Sequence, residues 1–164
     1  MNFDRAPDAE AAITLLREMV QVVPHCGPRL VNKPLSLYGA GDLGRMAKEY
    51  FERLHIAVEY VVDARAADHR TAPFWQDVPV LFPEEVTAEQ RARDLLAVCV
   101  VKIPYVPLSD QLTTQGWKDV VPFYDIAEAY RDRHPLSNGW FADPISSSEL
   151  EFVAEVLARW DDNI

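Results

Sequence analysis

The sequence predicts a three-layer α/β domain: a mostly parallel sheet of about four or five strands between layers of helix, flanked by an N-terminal and a C-terminal helix. Three observations predict it. Short β-rich runs alternate with segments of helical apolar period along the 164 residues, as repeated β-α-β units require. The run Leu95-Leu96-Ala97-Val98-Cys99-Val100-Val101 is continuous rather than alternating, as expected of a strand covered on both faces. One glycine-rich turn, residues 39–44, lies between a predicted strand and a predicted helix.

The elements follow in order. Ala12, Leu15, Leu16, Met19, Val20 and Val23 form one apolar stripe, so 8–23 is predicted helical, with Pro7 ahead of it and Pro24 ending it. Residues 24–34, with three prolines and a glycine, are a linker. Leu35-Ser36-Leu37-Tyr38 is a strand. Leu43, Ala47, Tyr50, Phe51 and Leu54 give a helix over roughly 42–54, and Val58–Val62 is the next strand. Residues 63–77 lack a period and read as a long loop, a length often associated with function. Val78-Pro79-Val80-Leu81 is a short edge strand, because proline cannot donate within a central ladder. Helices are predicted at 84–93, 107–115 and 125–132, and a strand at 119–123. Residues 135–145 read as a loop, and Ser146-x-x-Glu149 is a capping box opening the last helix. Three segments result: helix and linker (1–34), the α/β domain (35–134), and a C-terminal loop and helix (135–164).

Composition narrows the function classes. Hydrophobic residues make up 49% of the chain, enough for a sizeable core. The longest apolar run has seven residues, against about 20 for a membrane span. The opening Met1-Asn2-Phe3-Asp4-Arg5 has no secretory pattern. A formal net charge of −10 argues against phosphate-mediated nucleic-acid binding. Residues 124–164 carry −6 of it, which marks that end as solvated or partner-facing. Cys26 and Cys99 lie far apart and Cys99 sits in the apolar run, so a reducing cytoplasm is expected. The four histidines show no metal-ligand spacing, and no catalytic constellation stands out.

The chemistry concentrates in Tyr38-Gly39-Ala40-Gly41-Asp42-Leu43-Gly44-Arg45. Gly39, Gly41 and Gly44 spell G-x-G-x-x-G directly after a strand and at the start of a helix, and Asp63 closes the next strand. This is the setting of a Rossmann-like dinucleotide turn. Gly39 permits the tight turn, Gly41 lets a phosphate approach the backbone, and Gly44 lets helix and strand pack closely. The amides at the helix start, Asp42 and Leu43 among them, offer donors and partial positive charge. Asp63 is placed to accept from ribose hydroxyls. Asp42 puts a negative charge beside the presumed phosphate and equally suits a first-turn acid. Arg45 either reaches a phosphate or is a solvated helix arginine. In an open α/β sheet the ligand lies beyond the carboxyl ends of the strands. Lys102 can therefore meet a phosphate and Tyr105 can stack on a base, although a strand-end lysine and a packing tyrosine are the plainer reading. Arg65, His69, Arg70, Phe74 and Trp75 in the 63–77 loop form a candidate selectivity element.

These motifs resemble the amino-terminal Rossmann-like domain that precedes the catalytic domain of FkbM-type S-adenosylmethionine-dependent methyltransferases. The resembling pieces run from about 35 to 162. They are Leu37–Arg45, Val62-Asp63, Val78–Leu81 with Pro83-Glu84-Glu85, Gln111-Leu112 to Gly116-Trp117, Val120–Asp125, His134-Pro135-Leu136-Ser137-Asn138-Gly139-Trp140, and Trp160-Asp161-Asp162. The first half is also similar to nucleotide-sugar-linked domains of acyltransferases and dehydratases. One departure is that Gln76-Asp77 follow Trp75 where such domains often carry glycine. The resemblance implies a non-catalytic domain that recognises a nucleotide or nucleotide-sugar. It also implies a following methyltransferase domain that uses S-adenosylmethionine. Three alternatives stand beside it: a ligand-free structural or dimerisation module, a turn that itself binds S-adenosylmethionine, and a small NAD-dependent oxidoreductase. The usual S-adenosylmethionine turn brings its third glycine one residue earlier, and an oxidoreductase needs a substrate domain for which this chain has no room.

Overall fold

The computed structural model describes residues 8–21, 27–133 and 146–160. The loop at 135–145, the His134–Trp140 motif and Asp161-Asp162 lie outside the described residues. The chain forms two compact units. One contains helices α1 (Ala9–Gln21) and α7 (Ser147–Trp160), which pack against each other. The predicted capping box opens α7: the Glu149 amide donates to Ser146 Oγ, and Glu149 Oε2 accepts from the Ser146 amide at 2.7 Å. No helix among the described residues is long and apolar enough to cross a membrane.

The other unit is the α/β domain. Its five strands are all parallel: β1 (Leu35–Tyr38), β2 (Val58–Val62), β3 (Val80–Leu81), β4 (Leu95–Val98) and β5 (Val120–Pro122), in the order β3-β2-β1-β4-β5. The three-layer Rossmann-like architecture follows from where the apolar side chains go. Leu35, Leu37, Val61, Leu95 and Ala97 face one core. It is closed by Ala47, Tyr50 and Phe51 of α2 (Asp42–Arg53) and by Phe123, Ile126 and Ala127 of α6 (Phe123–Ala129). Tyr60, Val62, Leu96 and Val98 face the other, closed by Leu108 and Leu112 of α5 (Tyr105–Thr114) and by Trp117. Successive strand residues point to opposite faces, so a strand covered on both sides reads as an unbroken apolar run.

Several boundaries differ from the sequence expectation, each for a local reason. The β4 ladder stops at Val98, and the chain then folds over Gly39, leaving Val101 71% exposed. The 63–77 stretch holds α3 (Ala66–His69) and a 3-10 turn (Pro73–Trp75), each too short to show a period. The helix expected over 84–93 is a 3-10 turn (Pro83–Glu85) followed by α4 (Ala88–Arg93), which starts at a Thr87–Gln90 capping box. Phe123 belongs to α6 rather than to the strand. Its ring meets Tyr50 and Phe51 edge-on at centroid distances of 5.5 and 5.7 Å, contacts that add about 0.5–1.5 kcal/mol per pair beyond burial. Helix α2 ends with His55 in the left-handed region (φ 57°). The His55 amide bonds to Glu52 O and the Ile56 amide to Phe51 O, a Schellman closure.

Two buried acids brace the domain. Asp94, fully buried before β4, accepts the Tyr60 hydroxyl at 2.7 Å and the Arg93 guanidinium at 2.6 Å. Burial and then the Asp94 contact and charge push the Tyr60 phenol well up, although Ser36 and Arg93 act the other way. Asp125 on α6, 4% exposed, accepts the Gly27 amide at 3.1 Å, and its backbone carbonyl accepts the Arg29 amide at 3.0 Å. Burial raises the Asp125 carboxyl to about 6, against a smaller lowering by the Gly27 contact. A carboxyl raised on folding stabilises below its ordinary range and loses that contribution as pH climbs through about 6. Asp125→Asn, which keeps an acceptor for Gly27, is therefore expected to gain roughly 1–3 kcal/mol over the wild type at pH 8 and almost nothing at pH 4, as read by urea unfolding at the two pH values.

Candidate functional site

The strand order places a topological switch between β1 and β4: β1 leads into α2 on one face of the sheet, and β4 leads into α5 on the other. In such sheets the ligand crevice opens there, beyond the carboxyl ends of the strands. The glycine-rich turn stands at that point. Gly39 continues the ladder, donating to Val62 O at 2.8 Å, and takes a φ of +107° that favours glycine. A side chain on it would lie 2.9 Å from both Cys99 O and the Val100 side chain, so the post-β4 segment closes tightly over it. Gly44 sits deeper. A Cβ there would stand 2.0 Å from Gly39 O, so only glycine lets α2 begin this close to β1. Gly41 is the contrast: nothing lies within 4 Å of the place its Cβ would take.

The start of α2 is chemically unfilled. Gly41 is the N-cap and makes no side-chain cap. The amides of Gly41, Asp42, Leu43 and Gly44 have no acceptor among the described residues, as the first amides of a helix lack intrahelical partners. Asp42 is exposed in the first helical turn and Leu43 is half-buried against the first core. Arg45 lies over the Phe74 ring, 5.4 Å from its centroid.

Asp63 is drawn into the turn. Its Oδ2 accepts the Ala40 amide at 2.7 Å, and its Oδ1 accepts the Arg65 amide at 2.7 Å. Each carboxylate oxygen retains one further acceptor site. His69 Nε2 lies 4.0 Å from Oδ2, beyond hydrogen-bond reach. The Tyr38 phenol is raised by burial first and by the Asp63 charge second, which puts Tyr38 in the same neighbourhood. Lys102 is exposed in the loop after β4, and Tyr105 stands at the start of α5. The Tyr105 hydroxyl donates to Val120 O at 2.9 Å and its ring packs on the second core, so the geometry supports its packing role. On either side of Lys102 the loop exposes Val101 and Ile103.

The 63–77 segment divides by role. Trp75, 2% exposed, lies beneath the turn rather than over it, and its indole Nε1 donates to Ala40 O at 3.2 Å. Phe74 packs under Arg45 and Lys48. Burial opposes the charge of Lys48, but contacts with Glu52 at 2.5 Å and Asp77 at 3.0 Å outweigh it and raise the amine; the same contact holds the Asp77 carboxyl below its usual range. Arg70 covers the outer edge of β3: its Nε donates to Val80 O at 2.7 Å, its guanidinium pairs with Glu85, and it lies over Phe82. Arg65 is exposed and meets Asp63 through its backbone. Burial pushes the Cys99 thiol up, away from nucleophilic use. Among the described residues no group of acids, histidines and cysteines is arranged to hold a metal.

Of the residues the sequence groups, Gly39, Gly41, Asp42, Leu43, Gly44 and Arg45 lie along one turn and helix start, and Asp63 meets that turn at the Ala40 amide. It missed the two contacts on Ala40, whose amide and carbonyl go to Asp63 and Trp75. Ala40 carries no chemical signal of its own, so nothing in the composition of the turn marks it.

Fold and site together define a Rossmann-like α/β domain with an open helix start at its switch point. Comparison with protein-family models, curated proteins and solved structures finds no match to this chain.

Gly44 and Gly41 are expected to separate cleanly on substitution. Gly44→Ala forces a backbone clash and is expected to cost about 2–3 kcal/mol in urea unfolding. Gly41→Ala, with open space and an N-cap φ of −74°, is expected to stay within about 0.5 kcal/mol of wild type.

Proposed function

We propose that the α/β domain recognises a nucleotide or nucleotide-sugar, as the non-catalytic part of an FkbM-type S-adenosylmethionine-dependent methyltransferase working in the cytoplasm. One observation carries the recognition: the amides of residues 41–44 have no acceptor among the described residues, and the place a Cβ would take on Gly41 is open, at the switch point of a parallel sheet. Backbone donors at a helix start, reinforced by the helix dipole, suit a phosphate. Lys102 supplies a cation from the facing loop, and the exposed Val101 and Ile103 supply apolar surface for the flat part of a ligand. The remaining acceptor sites of Asp63 suit a ribose hydroxyl. The methyltransferase assignment rests on the sequence resemblance. S-adenosylmethionine then belongs to a following catalytic domain, and this domain presents or selects the substrate.

A second reading has its own support. Asp63 already spends one acceptor site of each oxygen within the chain, and Gly39 is covered by the β4 loop, so the turn is self-satisfied over half its length. A ligand-free structural module has those features.

Isothermal calorimetry against NAD, UDP-glucose and S-adenosylmethionine separates the two. Binding of a phosphate-bearing probe is expected, with Gly41→Trp weakening it at least about tenfold, the scale of losing one charge-assisted contact, while the circular dichroism spectrum is retained. No heat from any probe, with a folded wild type, favours the structural module and overturns the recognition role.

A further inference from the structure

Tyr105 is the ring that the sequence offers for a base, but the fold uses it elsewhere. Its hydroxyl donates to Val120 O at 2.9 Å and its ring packs on the second core. Tyr38 is left unspent. It is the last residue of β1, directly before the glycine-rich turn, and it stands on the same side of the sheet as Leu108 and Leu112 of α5. Its neighbours in the ladder, Val62 on β2 and Val98 on β4, are buried, while Tyr38 between them is partly buried. The crossover from β3 to β4 gives thin cover on this face: Val86 is buried, but α4 has six residues and none of them is buried. The Tyr38 hydroxyl has no hydrogen-bond partner among the described residues. Burial first and the Asp63 charge second hold the phenol above its ordinary range, so it remains a donor.

A phenol at the carboxyl end of a central strand, beside the switch point, stands where the ligand crevice of an open α/β sheet lies. It brings an aromatic face and a polar tip to that place. We propose that Tyr38 is the aromatic contact of the nucleotide site: the base of the ligand lies against its ring, and its hydroxyl donates to the nucleoside. This rests on the recognition reading and narrows it, because the ligand must then carry a base and not phosphate alone. The helix start receives the phosphate, and Tyr38, one residue ahead of Gly39, receives the base. A stacked base gains from any aromatic face and sets little sequence preference of its own. Tyr38 therefore separates nucleotides from simple sugar phosphates rather than one base from another.

Calorimetry and NMR of the full chain with ADP and with pyrophosphate test this. Tyr38→Phe, which keeps the ring, is expected to weaken ADP about fivefold, the scale of one neutral hydrogen bond. Tyr38→Leu is expected to weaken it at least about tenfold, the scale of one base on an aromatic ring. Pyrophosphate, which has no base, is expected to bind wild type and both variants alike. On the tyrosine-labelled chain, nuclear Overhauser contacts are expected between the adenine protons and the ring whose signals Tyr38→Phe removes. Should Tyr38→Leu unfold, those contacts and Tyr38→Phe decide. ADP that binds without contacts to Tyr38 and equally well to Tyr38→Phe overturns the proposal and leaves the recognition reading standing. A loss shared equally by ADP and pyrophosphate does the same, because it marks a structural role. A folded wild type that binds neither probe overturns both.

Discussion

The contact on which this structure depends is the approach of Gly44 to the carbonyl of Gly39. A single Cβ at position 44 would stand 2.0 Å from that oxygen, a separation no backbone tolerates without moving. With glycine there, α2 starts directly above the end of β1. Its apolar side, Ala47, Tyr50 and Phe51, then falls onto Leu35, Leu37 and Val61, and Phe123 completes the aromatic cluster from α6. An interior glycine costs a helix about 1 kcal/mol relative to alanine. That cost is offset by a core whose aromatic members each bury far more than a methyl group.

The same closeness governs the chemistry of the turn. Because α2 begins so early, the turn is short and its polar groups are shared out residue by residue. Gly39 N goes to β2, Ala40 N to Asp63, Ala40 O to Trp75, and the amides of Gly41 to Gly44 have no acceptor among the described residues. Asp63 and Trp75 thus hold the turn from two sides while leaving its mouth unfilled. A buried donor needs an acceptor, whereas donors that face open space can wait for water or a ligand. The division between spent and unspent amides is what distinguishes an anion site from a merely compact turn.

Much of this was legible in the residues. The parallel sheet was readable from the unalternating 95–101 run, and the position of the turn from three glycines between a strand and a helix with Asp63 closing the next strand. The capping box at Ser146 and Glu149 was readable because capping is local. Features that depend on distant partners were not legible. Trp75 reads from sequence as a loop aromatic able to cover the site, yet its indole is consumed by a carbonyl 35 residues away. For Tyr105 packing was the plainer reading, and its ring does pack on the second core, but the hydroxyl bond to Val120 O was not readable. Asp63 was placed correctly at the strand end, but its engagement with the Ala40 amide depends on how two strands are staggered, which periodicity does not encode. The early end of β4 is a tertiary choice overriding local preference, whereas the split of 84–93 follows the local capping box at Thr87 and Gln90.

Amide hydrogen exchange and chemical shifts at consecutive positions of the turn test the central claim most directly, recorded on the isotopically labelled full chain with and without ADP. The account predicts that the Ala40 amide is protected and stays in place, while Gly41, Asp42 and Leu43 exchange freely and shift as the nucleotide is added. An Ala40 amide that exchanges as fast as Gly41, or shifts that appear at the β3 edge and leave the turn untouched, would contradict it.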